Sequence, residues 1–206
     1  MAATAIAALA VPAIASASAP PVTTLDSADY IAQTLPAGNY DVPAGNKVNL
    51  SWADVKGNLT VEGSVVNFGK TLYEKNVTVN KRGSFMAGNW PVTINGNLQI
   101  TDPAANSQNG FWGDYWVDPT DPTGQIQDRP DLHLNEVKGN LIYTIDANGN
   151  YPQYQSPLPY FGGGTKVDGK FTYNTGGRMT QSPGDGLIAA PAAMGSLTTV
   201  VTTTIS

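Results

Sequence analysis

The stretch "VKGNLTV", residues 55–61, returns in loosened form as "INGNLQI" at 94–100, "VKGNLIY" at 137–143 and "VDGKFTY" at 167–173. With the related phrases "YDV" and "VTV" included, the last residues align as Val42, Val61, Val79, Ile100, Tyr143 and Tyr173, in steps of 19, 18, 21, 43 and 30. The first three steps are nearly constant. The last two fit one turn of a repeat each with chain added, or two turns for the 43. Within each phrase apolar and polar residues alternate, as in Leu59-Thr60-Val61 and Leu98-Gln99-Ile100, which is the period of a strand with one buried face. Turn-forming clusters such as "EGS", "NKRGS" and "DANGN" separate the phrases. Repeats of this size, each one or two strands long, stack as a solenoid. The predicted fold is therefore all-β: a short parallel β-solenoid, a right-handed β-helix of about five to six rungs. Gly57, Gly96, Gly139 and Gly169 are expected at its corners, where a positive φ is needed and a Cβ would clash. Asn58, Asn97 and Asn140 beside them are expected to stack as a ladder. An antiparallel sandwich also has short alternating strands, but spacings near nineteen with a recurring glycine favour the solenoid.

Composition sets the limits around this pattern. The chain has 206 residues, 41% hydrophobic and only 13% charged, with 22 Gly and 15 Pro. That length suits one domain with a real core, and the Gly and Pro content argues for short strands over long helices. A net charge of −5 offers no basic stripe for nucleic acid or for anionic membrane surfaces. The start, "MAATAIAALAVPAIASASA", is an uncharged apolar run ending in small residues. It predicts a signal peptide over 1–17, cleaved after Ala17, although no Lys or Arg precedes the run. No other stretch has the ~20 apolar residues of a membrane span. With no Cys there is no disulfide and no lipid-modified cysteine, so the expected address is secreted or extracellular.

The run "VPAGNKVNLSWADVKGNLTVEGSVVNF" resembles the rungs of small exported actinobacterial β-solenoid proteins, which read V-P-x-G-x-x-x-x-L…V-x-G-N-[LV]-x-V. The resemblance covers residues 38–101 well and 134–180 loosely, with motifs of low specificity. It implies a parallel β-helix and export, and it brings no activity and no catalytic residues. The expected organisation is an N-terminal linker or cap over 18–37, a solenoid over 38–181, and a linker with a β-prone tail over 182–206.

Two segments break the repeat, 102–136 and 148–165. The first holds seven acids against Arg129 alone, so it carries −6 while the rest of the chain is close to neutral. Residues 111–161 hold nine of the eighteen aromatics. Aromatic rings stack on pyranose faces and carboxylates accept bonds from sugar hydroxyls. Trp112, Tyr115, Trp116, Asp114, Tyr154 and Tyr160 are thus the candidate ligand-binding residues, for a cell-wall or extracellular glycan. The competing expectation, and the readier one for so apolar a loop, is that these rings pack on the solenoid flank as a small local core. Asp118, Asp121 and Asp128 in "DPTDPTGQIQD" form a candidate Ca²⁺ site. Their spacing is not that of an EF-hand, and Asp-Pro is also an ordinary turn starter.

Catalysis is the weaker expectation. A β-helix hydrolase would need two facing carboxylates, for which Asp114, Asp118 and Asp131 are available, but so few rungs give little cleft wall. His133, the single histidine, is flanked by Leu132 and Leu134 with no nucleophile signature. The Asn49, Asn58 and Asn76 sequons read as rung grammar. The uncharged, β-branched tail "GSLTTVVTTTIS", 195–206, is expected either to dock on its own solenoid or to pair with another chain. The sequence therefore predicts a non-catalytic binding protein, with a self-assembling structural protein and a polysaccharide-active enzyme as alternatives.

Overall fold

The computed structural model describes residues 20–80, 82–88, 91–104, 108–111, 135–145, 158–161, 165–174 and 187–189. Inward and outward residues alternate along almost every stretch, and strands follow wherever the inward ones are apolar. In chain order these are β1 (Val22–Thr24), β2 (Thr34–Leu35), β3 (Asn39–Val42), β4 (Lys47–Asn49), β5 (Asp54–Val55), β6 (Asn58–Val61), β7 (Ser64–Asn67), β8 (Thr71–Tyr73), β9 (Val77–Val79) and β10 (Ser84–Ala87). They continue as β11 (Val92–Ile94), β12 (Leu98–Thr101), β13 (Gln108–Phe111), β14 (Asn135–Val137), β15 (Leu141–Thr144), β16 (Leu158–Phe161), β17 (Thr165–Val167), β18 (Phe171–Asn174) and β19 (Leu187–Ala189).

These strands form three sheets, and every pairing is parallel. Sheet A runs β1-β3-β6-β9-β12-β15-β18, sheet B runs β16-β13-β10-β7-β4, and sheet C runs β19-β17-β14-β11-β8-β5-β2. From β3 to β18 the chain visits A, B and C in turn and then repeats, the path of a parallel solenoid. The register follows the sequence phrases. Val42 pairs with Val61, Val61 with Val79, Val79 with Ile100, Ile100 with Tyr143 and Tyr143 with Tyr173. Each long step, 43 or 30 residues, is a single turn of the coil with chain added. The first two strands lie within the span expected as a linker, and β19 lies within the expected C-terminal linker; all three extend the sheets.

The core is the space enclosed by the three sheets. Val42, Val61, Val79, Ile100 and Tyr143 are fully buried from sheet A, Val48, Val65, Phe85 and Phe111 from sheet B, and Val55, Tyr73, Ile94, Val137 and Val167 from sheet C. Like stacks on like, including rings: Phe85 meets Tyr73 edge-on at 5.7 Å and Phe111 at 6.3 Å, and Tyr143 stacks on Tyr173 at 5.6 Å. The polar groups beside Tyr73 in the core are bound there, whereas Asn135 Nδ2 is buried without a hydrogen-bond partner. The Tyr73 hydroxyl donates to Asn67 Oδ1 at 2.6 Å, and Asn67 Nδ2 donates to the Met86 carbonyl at 3.2 Å. Burial pushes the Tyr73 phenol well above its ordinary value.

The corner from sheet C back to sheet A carries the repeated glycine, for one of the two reasons expected and not the other. Gly57, Gly96, Gly139 and Gly169 do not have left-handed φ values; among the described glycines only Gly45 and Gly110 do. What excludes a side chain is the neighbouring turn of the coil. A Cβ on Gly139 would lie 2.6 Å from the Gly96 carbonyl oxygen, and one on Gly169 would lie 2.5 Å from that of Gly139. Beside them the asparagine ladder forms as expected and is longer. Asn58 Nδ2 donates to Asn39 Oδ1 at 3.1 Å, and the backbone N–H groups of Asn97, Asn140 and Lys170 donate to Asn76, Asn97 and Asn140 Oδ1 at 2.7–2.8 Å. Among the described residues no helix is long and apolar enough to cross a membrane.

Candidate functional site

Trp112, Asp114, Tyr115, Trp116, Asp118, Asp121, Asp128, His133 and Tyr154 lie outside the described residues. Tyr160 is on β16, paired with Gly110 of β13. Two of the nine clustered aromatics are not available to a ligand, because Phe111 and Tyr143 are fully buried core residues. The first interruption is also narrower than the sequence suggests. Gln108–Phe111 is a regular strand of sheet B and Asn135–Val137 a regular strand of sheet C, so residues 112–134 are what joins B to C in that turn. Among the described residues no group of three or more His, Cys, Asp or Glu could hold a metal ion.

That same B-to-C corner, in the turns before the interruption, presents three of the four exposed large apolar side chains among the described residues, the fourth being Val22 on β1. Ile31 is 46% exposed, Trp52 48% and Phe68 52%. Their positions follow from how each corner is built. Leu50 to Ala53 is a tight turn closed by the Ala53 N–H donating to the Leu50 carbonyl at 3.2 Å. Trp52 stands at its third position with φ +62°. A turn with positive φ at that position asks for Gly or Asn, and a bulky side chain there costs about 1–2 kcal/mol. The preceding turn repeats the geometry: Gln33 N–H donates to the Tyr30 carbonyl at 3.3 Å, and Ala32 has φ +56°. Strain held at one bulky, half-exposed aromatic is a pointer to function.

The surrounding bonds fix the turn. Asn49 Oδ1 accepts the Ser51 N–H at 3.0 Å and the Ser51 hydroxyl at 2.5 Å, and Ser51 Oγ accepts the Phe68 N–H from the next turn at 2.8 Å. The Thr71 hydroxyl bonds the Leu50 carbonyl at 2.8 Å. Trp52 and Phe68 then share one construction. Each ring lies over a glycine of the following turn: a Cβ on Gly69 would collide with Nε1, Cδ1 and Cε2 of Trp52, and a Cβ on Gly88 would lie 2.6 Å from Phe68 Cδ1. Glycine there gives the ring a flat floor. The row therefore steps along the coil axis, about 4.8 Å per turn.

Charges flank the row. Lys70 follows Gly69, is exposed, and has no ion pair among the described residues. Asp54 Oδ2 lies 3.9 Å from Lys56 Nζ on sheet C, and its Oδ1 is buried without a hydrogen-bond partner. Further along sheet C, Lys166 Nζ bonds Asp168 and Glu136, each at 2.9 Å, and those bonds hold its ammonium above the ordinary lysine value.

Sequence reasoning missed Trp52 and Phe68. Inside "NLSWADV" and "VVNFGK" an aromatic within a few residues of strand-forming Leu and Val reads as core. The available signal was position: both fall at the turn between inward-facing strands, and each aligns with a glycine one turn later. No protein-family model, no curated protein and no solved structure matches the chain.

Proposed function

We propose that the protein is an exported, non-catalytic β-solenoid that binds a cell-wall or extracellular glycan through the aromatic row of its B-to-C corner. The observation that carries this reading is Trp52, 48% exposed and held at φ +62°, where folding alone would select a glycine. A half-covered ring floored by glycine suits stacking on one face of a pyranose. The candidates Trp112, Asp114, Tyr115 and Trp116 belong to the segment that leaves this corner at Phe111, and with Tyr154 and Tyr160 they extend the same proposal. Asp118, Asp121 and Asp128 remain the Ca²⁺ candidates. The coil is taken as right-handed, the preference of parallel crossovers, with about five to six rungs. Signal-peptide export is supported by the apolar opening run alone.

A glycan array probed with the parent and with Trp52→Gly tests the reading. The parent should retain a defined set of glycans and the variant should lose them, with an unchanged far-ultraviolet circular dichroism spectrum. No retention of any glycan by the parent overturns it.

One observation favours a structural, self-assembling protein instead. The edge strand β1, Val-Thr-Thr, is uncharged and exposed throughout, with Val22 at 58%, and such an edge templates further strands. Light scattering decides this: a concentration-dependent multimer supports assembly, and a monomer up to millimolar concentration removes it.

A further inference from the structure

Resting on the glycan reading, we infer that the ligand is a linear acidic glycan, a polyuronate, lying along the coil axis across Trp52 and Phe68 with a carboxylate on Lys70. Three observations lead there. The two rings belong to consecutive turns and are built alike, each over the glycine of the next turn, so the platform is elongated parallel to the axis. A single sugar would use one ring; a chain uses both. Second, the register pairs Asp54 with Leu72, and the Leu72 N–H donates to the Ala53 carbonyl at 3.0 Å, so the turn that carries Lys70, next in sequence to Trp52's glycine floor, stacks on the turn that carries Trp52. Third, the charge there is uncompensated. Lys70 is exposed without an ion pair among the described residues, whereas Asp54, the acid on the neighbouring turn of sheet C, already faces Lys56. A neutral sugar would leave this ammonium to water, while a uronate supplies both the ring face and the counter-charge.

The chemistry divides the work. The rings hold the apolar faces of successive sugars and give affinity that grows with chain length. The ammonium selects for the carboxylate, and because the pair is exposed its contribution is screened by salt.

Titration calorimetry on the full chain with uronate oligosaccharides of one to six units, and with neutral β-linked oligosaccharides of the same lengths, tests the inference. Affinity should rise from monomer to tri- or tetrasaccharide and then level off, and it should fall as salt is raised from low to near-molar. Trp52→Gly and Phe68→Ala should each weaken the tetrasaccharide by roughly two- to tenfold, the usual worth of one aromatic contact. Lys70→Gln should erase both the salt dependence and the preference for uronate, while the control Lys138→Gln, on the opposite corner, should leave binding unchanged. Since Phe68→Ala removes packing, its melting curve is recorded alongside; Trp52→Gly relieves backbone strain and keeps the test valid if Phe68→Ala unfolds. Equal binding of neutral and acidic chains, or of one unit and six, overturns this inference and leaves the glycan reading standing. Binding of no oligosaccharide in either series overturns both.

Discussion

Replacing Tyr73 by Phe removes a single oxygen from the centre of the coil, and the cost can be worked from its surroundings. The hydroxyl is fully buried and donates to Asn67 Oδ1 at 2.6 Å, while Asn67 is itself fully buried and held by the Met86 carbonyl at 3.2 Å. The ring's edge-on contact with Phe85 at 5.7 Å survives the change. What is lost is the bond, and an acceptor is left in a dry core. Such an orphan costs about 1–3 kcal/mol. For a chain of this size about 2 kcal/mol lowers the melting temperature by roughly 4–8 °C. Changing Asn67 to Leu in the same molecule removes the stranded acceptor, so Tyr73→Phe/Asn67→Leu should cost less than the two single changes added together, with a coupling of about 1 kcal/mol or more. Urea unfolding of the four proteins, followed by circular dichroism, measures the cycle. A Tyr73→Phe protein within about 0.5 kcal/mol of the parent, or strictly additive changes, would refute the argument that the buried pair acts as a unit.

The same tyrosine predicts an alkaline limit. Its folded-state pKa is raised above the ordinary value of 10.0, so its contribution is intact below pH 10 and is lost as pH climbs beyond it, at up to about 1.4 kcal/mol per pH unit. Lys166, whose pKa is also raised, acts in the same sense, so Tyr73→Phe should flatten the fall above pH 10 without abolishing it; an unchanged slope removes Tyr73 as the cause. Gly139→Ala should destabilise by more than 1 kcal/mol through its clash with the Gly96 carbonyl, whereas Gly38→Ala, with open space around the added methyl, should be neutral or slightly stabilising; equal melting temperatures for the two would contradict the close-stacking account. Val79→Asp, between Val61 and Ile100, should cost about 3–5 kcal/mol by burying an unpaired charge, and a soluble variant with parental denaturation would argue that Val79 is not inward.

Sheet A was the readable part of this molecule. Its inward residues are apolar from Val42 to Tyr143 and its corner repeats Gly-Asn in most turns, so spacing placed Val42, Val61, Val79 and Ile100 in register and left only the 43-residue step open between one turn and two; it is one. Sheet B was opaque because its inward positions include Asn67 and Asn109, which mimic turn residues, and because β13 sits inside a run rich in Gly, Asn and acids. The corner glycines were identified correctly but for half the right reason: crowding from the adjacent turn, invisible in one dimension, replaces the positive φ. Trp52 escaped notice because nothing in "LSWA" announces a left-handed tryptophan. Turn chemistry predicts which residues fit such a position, and a residue that does not fit can be found only in three dimensions.

The three corners of the coil differ in one further respect. Between sheets C and A the chain always crosses in two or three residues, from Leu35 to Asn39 through Val167 to Phe171. The other two corners admit anything from two residues, as between Val61 and Ser64, to the twenty-three that separate Phe111 from Asn135. Where a backbone carbonyl of one turn presses on the glycine of the next, there is no room for an extra residue, so this edge behaves as a spine. Lineages of such coils can then diversify only along the two free edges, and a protein engineer has the same choice. Foreign loops grafted at the B-to-C corner should be carried without disturbing the stack, whereas a single residue inserted at the glycine edge should shift every turn that follows it.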